Sequence, residues 1–226
     1  MIRVFVVDDH EIVRRGLADL IRAEADLEVV GEAATKRQAV ARVAATRPDV
    51  AVLDLRLPDG SGIDACREIR SLDFGVQCLI FTAFDDDEAG RAAVLAGASG
   101  YVLKDIRGER LIEAIRRVAL GESLFIPRVA GRVAVSLGVR GGGPARDLTT
   151  RELQVLELIS RGLTNRQIGE SLNLTEKTVK NYVSNLLSKL GMNHRTQAAV
   201  FGAELHRRRR ESQTSIQAAS PGTLAG

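Results

Sequence analysis

The feature that most constrains the fold is an alternation, over the first 120 residues, of short apolar runs with longer amphipathic segments. The apolar runs are Arg3–Val7, Glu28–Gly31, Val50–Leu53, Cys78–Phe81 and Gly100–Leu103. Helical spacing marks the segments between them, at about residues 10–25, 36–47, 62–71, 87–96 and 107–120. Runs that are apolar at nearly every position are typical of parallel strands buried on both faces. The pattern predicts a doubly wound α/β domain with a five-stranded parallel sheet.

Residues 121–147 break this pattern. Glycines interrupt any long helix there, and Gly141–Pro144 is a run of helix breakers. We interpret 121–147 as a flexible linker with room for a short helix over 127–137. The residues before the linker carry a net negative charge and the rest a net positive one, within a total of +3. An acidic domain followed by a basic one indicates two roles, with nucleic acid as a candidate partner of the second.

After the linker the chain is predicted to form an all-α domain of four helices over residues 148–209. Thr149–Glu152 and Thr164–Gln167 have the spacing of capping boxes and open the first two helices. Thr175 caps the third helix, and the fourth runs over about 193–209. The polar and small residues of 210–226 are predicted to be a disordered tail.

Composition limits the classes of protein to which the chain can belong. No apolar stretch is long enough to span a membrane, and the amino terminus lacks the features of a signal peptide. The two cysteines, Cys66 and Cys78, and three histidines do not have the spacing of a zinc site. We expect a cytoplasmic protein without membrane contact.

Charged and hydroxyl side chains follow four of the predicted strands at the point where each strand ends. Asp8 and Asp9 follow the first strand, Asp54 ends the third, Thr82 the fourth and Lys104 the fifth. Any one of these residues alone is more often a loop or cap residue, but ligands gather at the carboxyl ends of parallel strands, and here four strand ends carry them jointly. Neighbouring carboxylates require a cation, and oxygen ligands favour Mg²⁺. Such a site could transfer a phosphoryl group to a carboxylate, with the lysine neutralising charge and the threonine donating a hydrogen bond.

These strand ends also carry a resemblance to a known family. The matching segments are Val6–His10, Leu53–Gly60, Thr82–Ala83 and Gly97–Lys104. They resemble the receiver domains of bacterial two-component response regulators, which have a flavodoxin-like fold. The resemblance covers residues 1–120 and implies that a sensor histidine kinase phosphorylates Asp54.

The resemblance also implies roles for the residues around Asp54. Asp9 and Asp54 would bind Mg²⁺ together with the backbone carbonyl of Arg56, and Asp8 would act directly or through water. Thr82 would move toward the phosphoryl group. Tyr101 would change its exposure as a switch residue.

The sequence disfavours two classes of enzyme, dinucleotide-binding enzymes and phosphohydrolases. Gly60–Ala65 fits a dinucleotide-binding fingerprint, but it follows the third strand rather than the first, and the nearby aspartates would repel a pyrophosphate. A phosphohydrolase with an aspartate nucleophile usually has a second acid two residues later, where this chain has Arg56. We therefore predict that the protein is not an enzyme.

The third helix of the second domain has one apolar stripe and one polar, basic face. The polar face presents Lys177, Lys180, Asn181 and Ser184. A short helix, a tight turn and a longer helix of this kind indicate a helix-turn-helix. Lysine can read guanine and asparagine adenine, and the helix start at Thr175 can meet a phosphate. The alternative is a solvated face on a small helical bundle.

Three segments, Leu148–Glu152, Gly162–Ile168 and Glu176–Val183, resemble the LuxR-type DNA-binding domain of the NarL/FixJ subfamily. The resemblance implies that the third helix enters the major groove of promoter DNA, and we add Asn165 to its expected DNA contacts. It also implies that the fourth helix forms a homodimer contact, for which Ala198, Val200 and Phe201 are the candidates.

The expected mechanism is a transcription regulator switched by phosphorylation, which binds DNA as a dimer and activates RNA polymerase, as is common in the family. Several inactive states remain open. The receiver could cover the recognition helix, or the linker could hold the fourth helix apart. Alternatively, the protein could bind DNA constitutively and use its receiver only to dimerise.

Overall fold

The computed structural model describes residues 1–72, 74–84, 86–125 and 148–218, with side chains in the last helix as far as Arg207. Residues 126–147, which include the predicted short helix and the Gly-Pro run, lie outside the described residues, as do 219–226. The described strands are β1 (Ile2–Val7), β2 (Leu27–Ala33), β3 (Val50–Asp54), β4 (Arg56–Leu57), β5 (Gly60–Ser61), β6 (Gln77–Thr82) and β7 (Gly100–Leu103).

The amino-terminal domain has the predicted doubly wound architecture. Five of its strands form one parallel sheet in the order β2-β1-β3-β6-β7, and β4 and β5 pair as a small antiparallel hairpin. Its helices are α1 (Glu11–Arg22), α2 (Lys36–Thr46), α3 (Gly62–Ser71), α4 (Asp87–Leu95) and α5 (Gly108–Ala119). Apolar side chains form a buried layer on each face of the sheet, with Phe5 and Ile80 in one layer and Val4 and Leu79 in the other. This explains why the central strands are apolar at nearly every position.

The carboxy-terminal domain is a bundle of four helices around its own core. The helices are α6 (Thr150–Ser160), α7 (Asn165–Leu172), α8 (Glu176–Leu190) and α9 (Arg195–Ala218). Both predicted capping boxes are present, at Thr149 with Glu152 and at Thr164 with Gln167. Leu156, Ile168 and Phe201 meet in the core.

The last helix differs from the sequence prediction. Helix α9 continues to Ala218, beyond its predicted end at residue 209, and it occupies part of the segment 210–226 that was predicted to be disordered. No glycine or proline occurs between Arg209 and Ala218, so no residue there breaks the helical hydrogen bonds.

Candidate functional site

The sheet order brings the predicted strand ends together at one edge. Strands β1, β3, β6 and β7 are successive neighbours, so the residues at their carboxyl ends line one pocket. We call Asp8, Asp9, Asp54 and Lys104 the acidic pocket. Gly62 at the start of α3 lies against it, since a Cβ there would come 2.0 Å from the backbone oxygen of Asp54. This close approach gives the glycine of the rejected dinucleotide motif a packing role.

Lys104 joins two of the carboxylates. Its Nζ lies 2.6 Å from Oδ2 of Asp8 and 3.2 Å from Oδ1 of Asp54. Asp8 is only 1% exposed and Asp54 6%, so these charges interact with little screening by water. Burial raises the pKa of Asp54, and the charge of Asp8 adds to this, whereas Lys104 opposes it. Burial alone would lower the pKa of Lys104, but the hydrogen bond to Asp8 and the charges of both carboxylates raise it overall.

The acidic pocket has a donor set that fits a hard divalent cation. Asp8, Asp9, Asp54 and His10 each offer a ligand atom, and these atoms lie within 4.8 Å of one another. The Nδ1 atom of His10 is 2.7 Å from Oδ1 of Asp9, so the ring is turned toward the carboxylates. Three aspartates that supply oxygen ligands at one point suit Mg²⁺.

Thr82 and the predicted switch residue Tyr101 are connected through Phe84. The backbone N–H of Phe84 donates to the Thr82 hydroxyl at 3.2 Å, and the Tyr101 hydroxyl donates to the Phe84 carbonyl at 2.7 Å. The guanidinium of Arg56 stacks 3.8 Å above the Phe84 ring. Sequence reasoning missed Phe84. In the sequence, Phe84 is recognisable only as an aromatic residue two positions after the strand-end threonine. The structure shows that it is 44% exposed.

The second domain forms the predicted helix-turn-helix from α7 and α8. Asn173 has a left-handed backbone (φ 54°) at the end of α7, and Thr175 caps α8 by accepting from the N–H of Thr178 at 3.1 Å. Gly169 is required by the tight turn, because a Cβ there would come 2.6 Å from the Leu174 carbonyl oxygen.

The four predicted base-reading residues lie together on the outer side of α8. We call Lys177, Lys180, Asn181 and Ser184 the recognition face, and all four are exposed. Val179, Val183, Leu186 and Leu190 are buried on the opposite side of the same helix. Lys180 pairs with Glu176 one turn earlier, at 2.9 Å. The buried stripe thus fixes the orientation of α8, and the recognition face is exposed.

Asn165 and Thr175 lie at the starts of α7 and α8. Thr175 is exposed, whereas Asn165 is partly buried and its side-chain oxygen accepts from Nη1 of Arg195 at 2.8 Å. The sequence analysis did not predict this partner.

The three predicted dimer contacts are buried within the chain in this arrangement. Ala198 is 0%, Val200 4% and Phe201 1% exposed. Ala198 and Phe201 belong to the core of the helical bundle, and Val200 lines a small cavity with Ser123 and Phe125, just before the undescribed segment. None of the three is therefore available to a second copy here.

The two domains meet through the start of α9, away from the recognition face. A Cβ at Gly97, after α4, would come 2.8 Å from the ring of His194, which precedes α9. Burial lowers the pKa of His194, and the charge of Arg70 in α3 lowers it further. Because the recognition face is exposed, the first domain does not cover it. The contact between the two domains instead lies at the start of α9, the helix expected to form the dimer.

The first residues of the predicted linker are bound to the sheet. Leu124 forms a parallel bridge at the free edge of β7, where Tyr101 N–H donates to its carbonyl at 3.1 Å and its own N–H donates to Ser99 at 2.7 Å. Tyr101 is therefore one hydrogen bond away from the segment that leads to the second domain.

Comparison with known proteins agrees with both halves of the fold. The family model for the response regulator receiver domain matches residues 4–116, and that for bacterial regulatory proteins of the luxR family matches 146–201. The chain is 54% identical to the DNA-binding transcriptional activator DevR/DosR of Mycobacterium tuberculosis, over 92% of this chain and 97% of that protein. It is 40% identical to the transcriptional regulatory protein LiaR of Bacillus subtilis, over 91% and 99%.

A solved structure gives the same result. A LuxR-family two-component response regulator from Aurantimonas is 38% identical, with a TM-score of 0.55, covering 60% of this chain and 97% of that one. Fold and site together define a receiver domain joined to a helix-turn-helix output domain. The chain belongs to the two-component response regulators with a LuxR-type DNA-binding domain.

Membership of this family confirms the predicted resemblance to NarL/FixJ-type regulators. The segments Thr175–Val183 and Arg195–Phe201 point to DevR/DosR in particular, and the 54% identity confirms that similarity. The relatives are regulators of transcription, which supports the prediction that the chain is not an enzyme. No helix in the described part of the chain is both long and apolar enough to cross a membrane.

Proposed function

We propose that Asp54 accepts a phosphoryl group from a sensor histidine kinase in the cytoplasm, and that this modification controls promoter binding. The observation that carries the proposal is the contact of Lys104 with both Asp8 and Asp54 inside a buried pocket. A carboxylate that faces a lysine and a threonine can attack phosphorus while its partners balance the charge. The bond between phosphorus and the donor's histidine nitrogen breaks as the new oxygen–phosphorus bond forms.

Mg²⁺ is the proposed cofactor of this pocket. Asp8, Asp9 and Asp54 would hold it, with the backbone carbonyl of Arg56 as a further oxygen ligand. When bound, it neutralises charge on the carboxylates and the phosphoryl oxygens. Lys104 would hold Asp54 in place through its ion pair at 3.2 Å, and the hydroxyl of Thr82, which ends the neighbouring strand, would bond a phosphoryl oxygen.

The proposed output is dimeric binding of promoter DNA followed by activation of transcription through RNA polymerase. The contact between the first domain and α9 supports a switch that acts on assembly, because it involves the helix expected to form the dimer. Phosphorylation would favour a state in which this contact is released and two recognition faces lie about one DNA turn apart. Lys177, Lys180, Asn181 and Ser184 would read bases, and Asn165 and Thr175 would contact phosphates.

Incubation with acetyl phosphate and Mg²⁺, followed by intact-mass spectrometry and a DNA-shift assay, tests this function. We expect one phosphoryl group per chain and tighter DNA binding, both lost in Asp54→Asn and retained in the control Asp64→Asn, a half-exposed aspartate of α3. Labelling of Asp54→Asn at the unsubstituted level would remove Asp54 from its role. Equal DNA binding with and without phosphorylation would instead favour a receiver that serves only for dimerisation.

A further inference from the structure

Arg195, the first residue of α9, is a feature of the DNA-binding domain for which neither the helix-turn-helix nor the phosphorylation switch accounts. Its guanidinium donates to Oδ1 of Asn165 at 2.8 Å and also to the backbone carbonyl of Leu163. The contact joins residues 30 positions apart and ties the start of α9 to the start of α7.

The charge of Arg195 has no acidic partner among the described residues. The group is half-buried, and burial lowers the pKa of Arg195 to about 10, so it still carries its proton at neutral pH. Several other cations of this domain differ, since Arg161, Arg166, Lys180 and Lys189 each pair with a glutamate. Arg151, like Arg195, donates to neutral oxygens, those of Gln154 and Leu172. A buried cation bonded only to neutral oxygens is costly unless an anion approaches it.

The hydrogen bond from Arg195 also fixes the orientation of the side-chain amide of Asn165. A guanidinium can only donate, so the amide of Asn165 must turn its oxygen toward Arg195. Its NH₂ group is then left to donate, and the structure records no acceptor for it among the described residues. A DNA phosphate is an anion whose oxygens only accept hydrogen bonds. It therefore matches the NH₂ group of Asn165, which donates, with the positive charge of Arg195 beside it.

We infer that Arg195 is a positioning residue for DNA binding, which fixes Asn165 as a donor to a phosphate of the DNA backbone and supplies uncompensated positive charge behind it. This inference rests on the proposed DNA-binding function. It assigns to the start of α9 a role in DNA affinity that is separate from any role in dimerisation.

The test is titration of a fluorescein-labelled, mixed-sequence duplex of about two helical turns with the full chain treated with acetyl phosphate and Mg²⁺, at several salt concentrations. A mixed sequence is suitable because phosphate contacts do not depend on base sequence. We expect Arg195→Gln to weaken binding about tenfold and to reduce the salt slope by about one. Asn165→Ala should weaken binding to a similar extent with little change in slope, because that side chain is neutral.

The double variant and a conservative variant separate positioning from simple loss of fold. If Arg195 acts through Asn165, the two losses overlap rather than multiply, and Arg195→Lys recovers most of the affinity. Arg161→Gln is the matched control: it removes the same charge from an exposed, ion-paired site in the same domain.

A folded Arg195→Gln whose affinity and salt slope equal those of Arg161→Gln would overturn the inference. If Arg195→Gln fails to fold, Asn165→Ala decides, and unsubstituted affinity in that variant overturns it equally. Failure of the unsubstituted chain to bind any duplex at the lowest salt would overturn the DNA-binding function itself, a result distinct from either of these.

Discussion

The acidic pocket of the receiver holds its charges buried and in contact with one another, whereas the recognition face of α8 holds its charges exposed and apart. Asp8, Asp54 and Lys104 are within hydrogen-bonding or ion-pair distance. Burial raises the pKa of Asp54, and the two carboxylates raise the pKa of Lys104 against the opposing effect of its burial. Lys177 and Lys180 lie on the helix surface, where water screens them. Transfer of a group to a carboxylate requires neighbouring charges that stabilise one another. Recognition of DNA instead requires side chains that can each contact a different base independently.

The largest expected effect is in the pocket, where removing the lysine leaves two buried carboxylates without the cation that pairs with them. Lys104→Met should lower the free energy of unfolding by about 3 kcal/mol at neutral pH without Mg²⁺, as measured by urea denaturation. Lys36→Met removes a lysine paired with Glu68 near the surface and should cost less than about 1 kcal/mol.

The same substitution shows whether the charges depend on one another. Asp8→Asn combined with Lys104→Met should cost clearly less than the two separate losses together, because the first removes the charge that the second leaves unpaired. Strict additivity, or a loss for Lys104→Met no greater than for Lys36→Met, would show that the pocket behaves like an ordinary surface.

The next effect is on the recognition face and concerns binding rather than folding. Lys180→Ala should weaken binding to a duplex selected from a random library by about 2 kcal/mol, while the free energy of unfolding changes by less than about 0.5 kcal/mol. Lys177→Ala and Ser184→Ala, about 10 Å apart along the helix, should have additive effects on binding. Strong coupling between them, or a normal affinity in Lys180→Ala, would contradict the contrast between the two regions.

The smallest expected effect concerns a buried ion pair inside the DNA-binding domain. Glu152 is 4% exposed and accepts from Lys189 at 2.8 Å, and the hydrogen bond from Lys189 lowers the pKa of Glu152 below its ordinary value of 4.5. Burial opposes this shift, and the N–H of Thr149 supports it. Glu152→Gln keeps an acceptor for the capping box but removes the charge, so it should destabilise the domain by about 1 kcal/mol at neutral pH.

The sign of the pH dependence follows from the lowered pKa. The stabilisation by Glu152 is complete above pH 4.5 and is lost as the pH falls through the lowered value, so the two proteins should converge in acid. Melting temperatures across this range provide the measurement. A gap that persists below the lowered pKa would show that the amide disturbs packing rather than charge.

Much of the fold and of the pocket could be predicted from sequence, because the signals are local. An apolar run marks a strand, and the residue at the end of the strand lies at the carboxyl edge of the sheet. Four such strand ends identify Asp8, Asp54, Thr82 and Lys104. The capping boxes at Thr149 and Thr164 are equally local. Each follows from a few consecutive residues.

The rest depends on contacts between residues far apart in the chain. The stacking of Arg56 on Phe84 and the bond from Arg195 to Asn165 leave no mark in either local sequence. Apolar residues of a helix serve a core and an interface equally well, so Ala198 and Phe201 could not be assigned to one or the other before the packing was known.

The bridge between Leu124 and β7 has a practical consequence for preparing the receiver alone. The free edge of β7 exposes backbone groups that could pair with another molecule, and Leu124 occupies two of them. A fragment that stops at residue 120 would uncover these groups and invite self-association. Ending the fragment after Phe125 keeps the edge protected and preserves the environment of Tyr101.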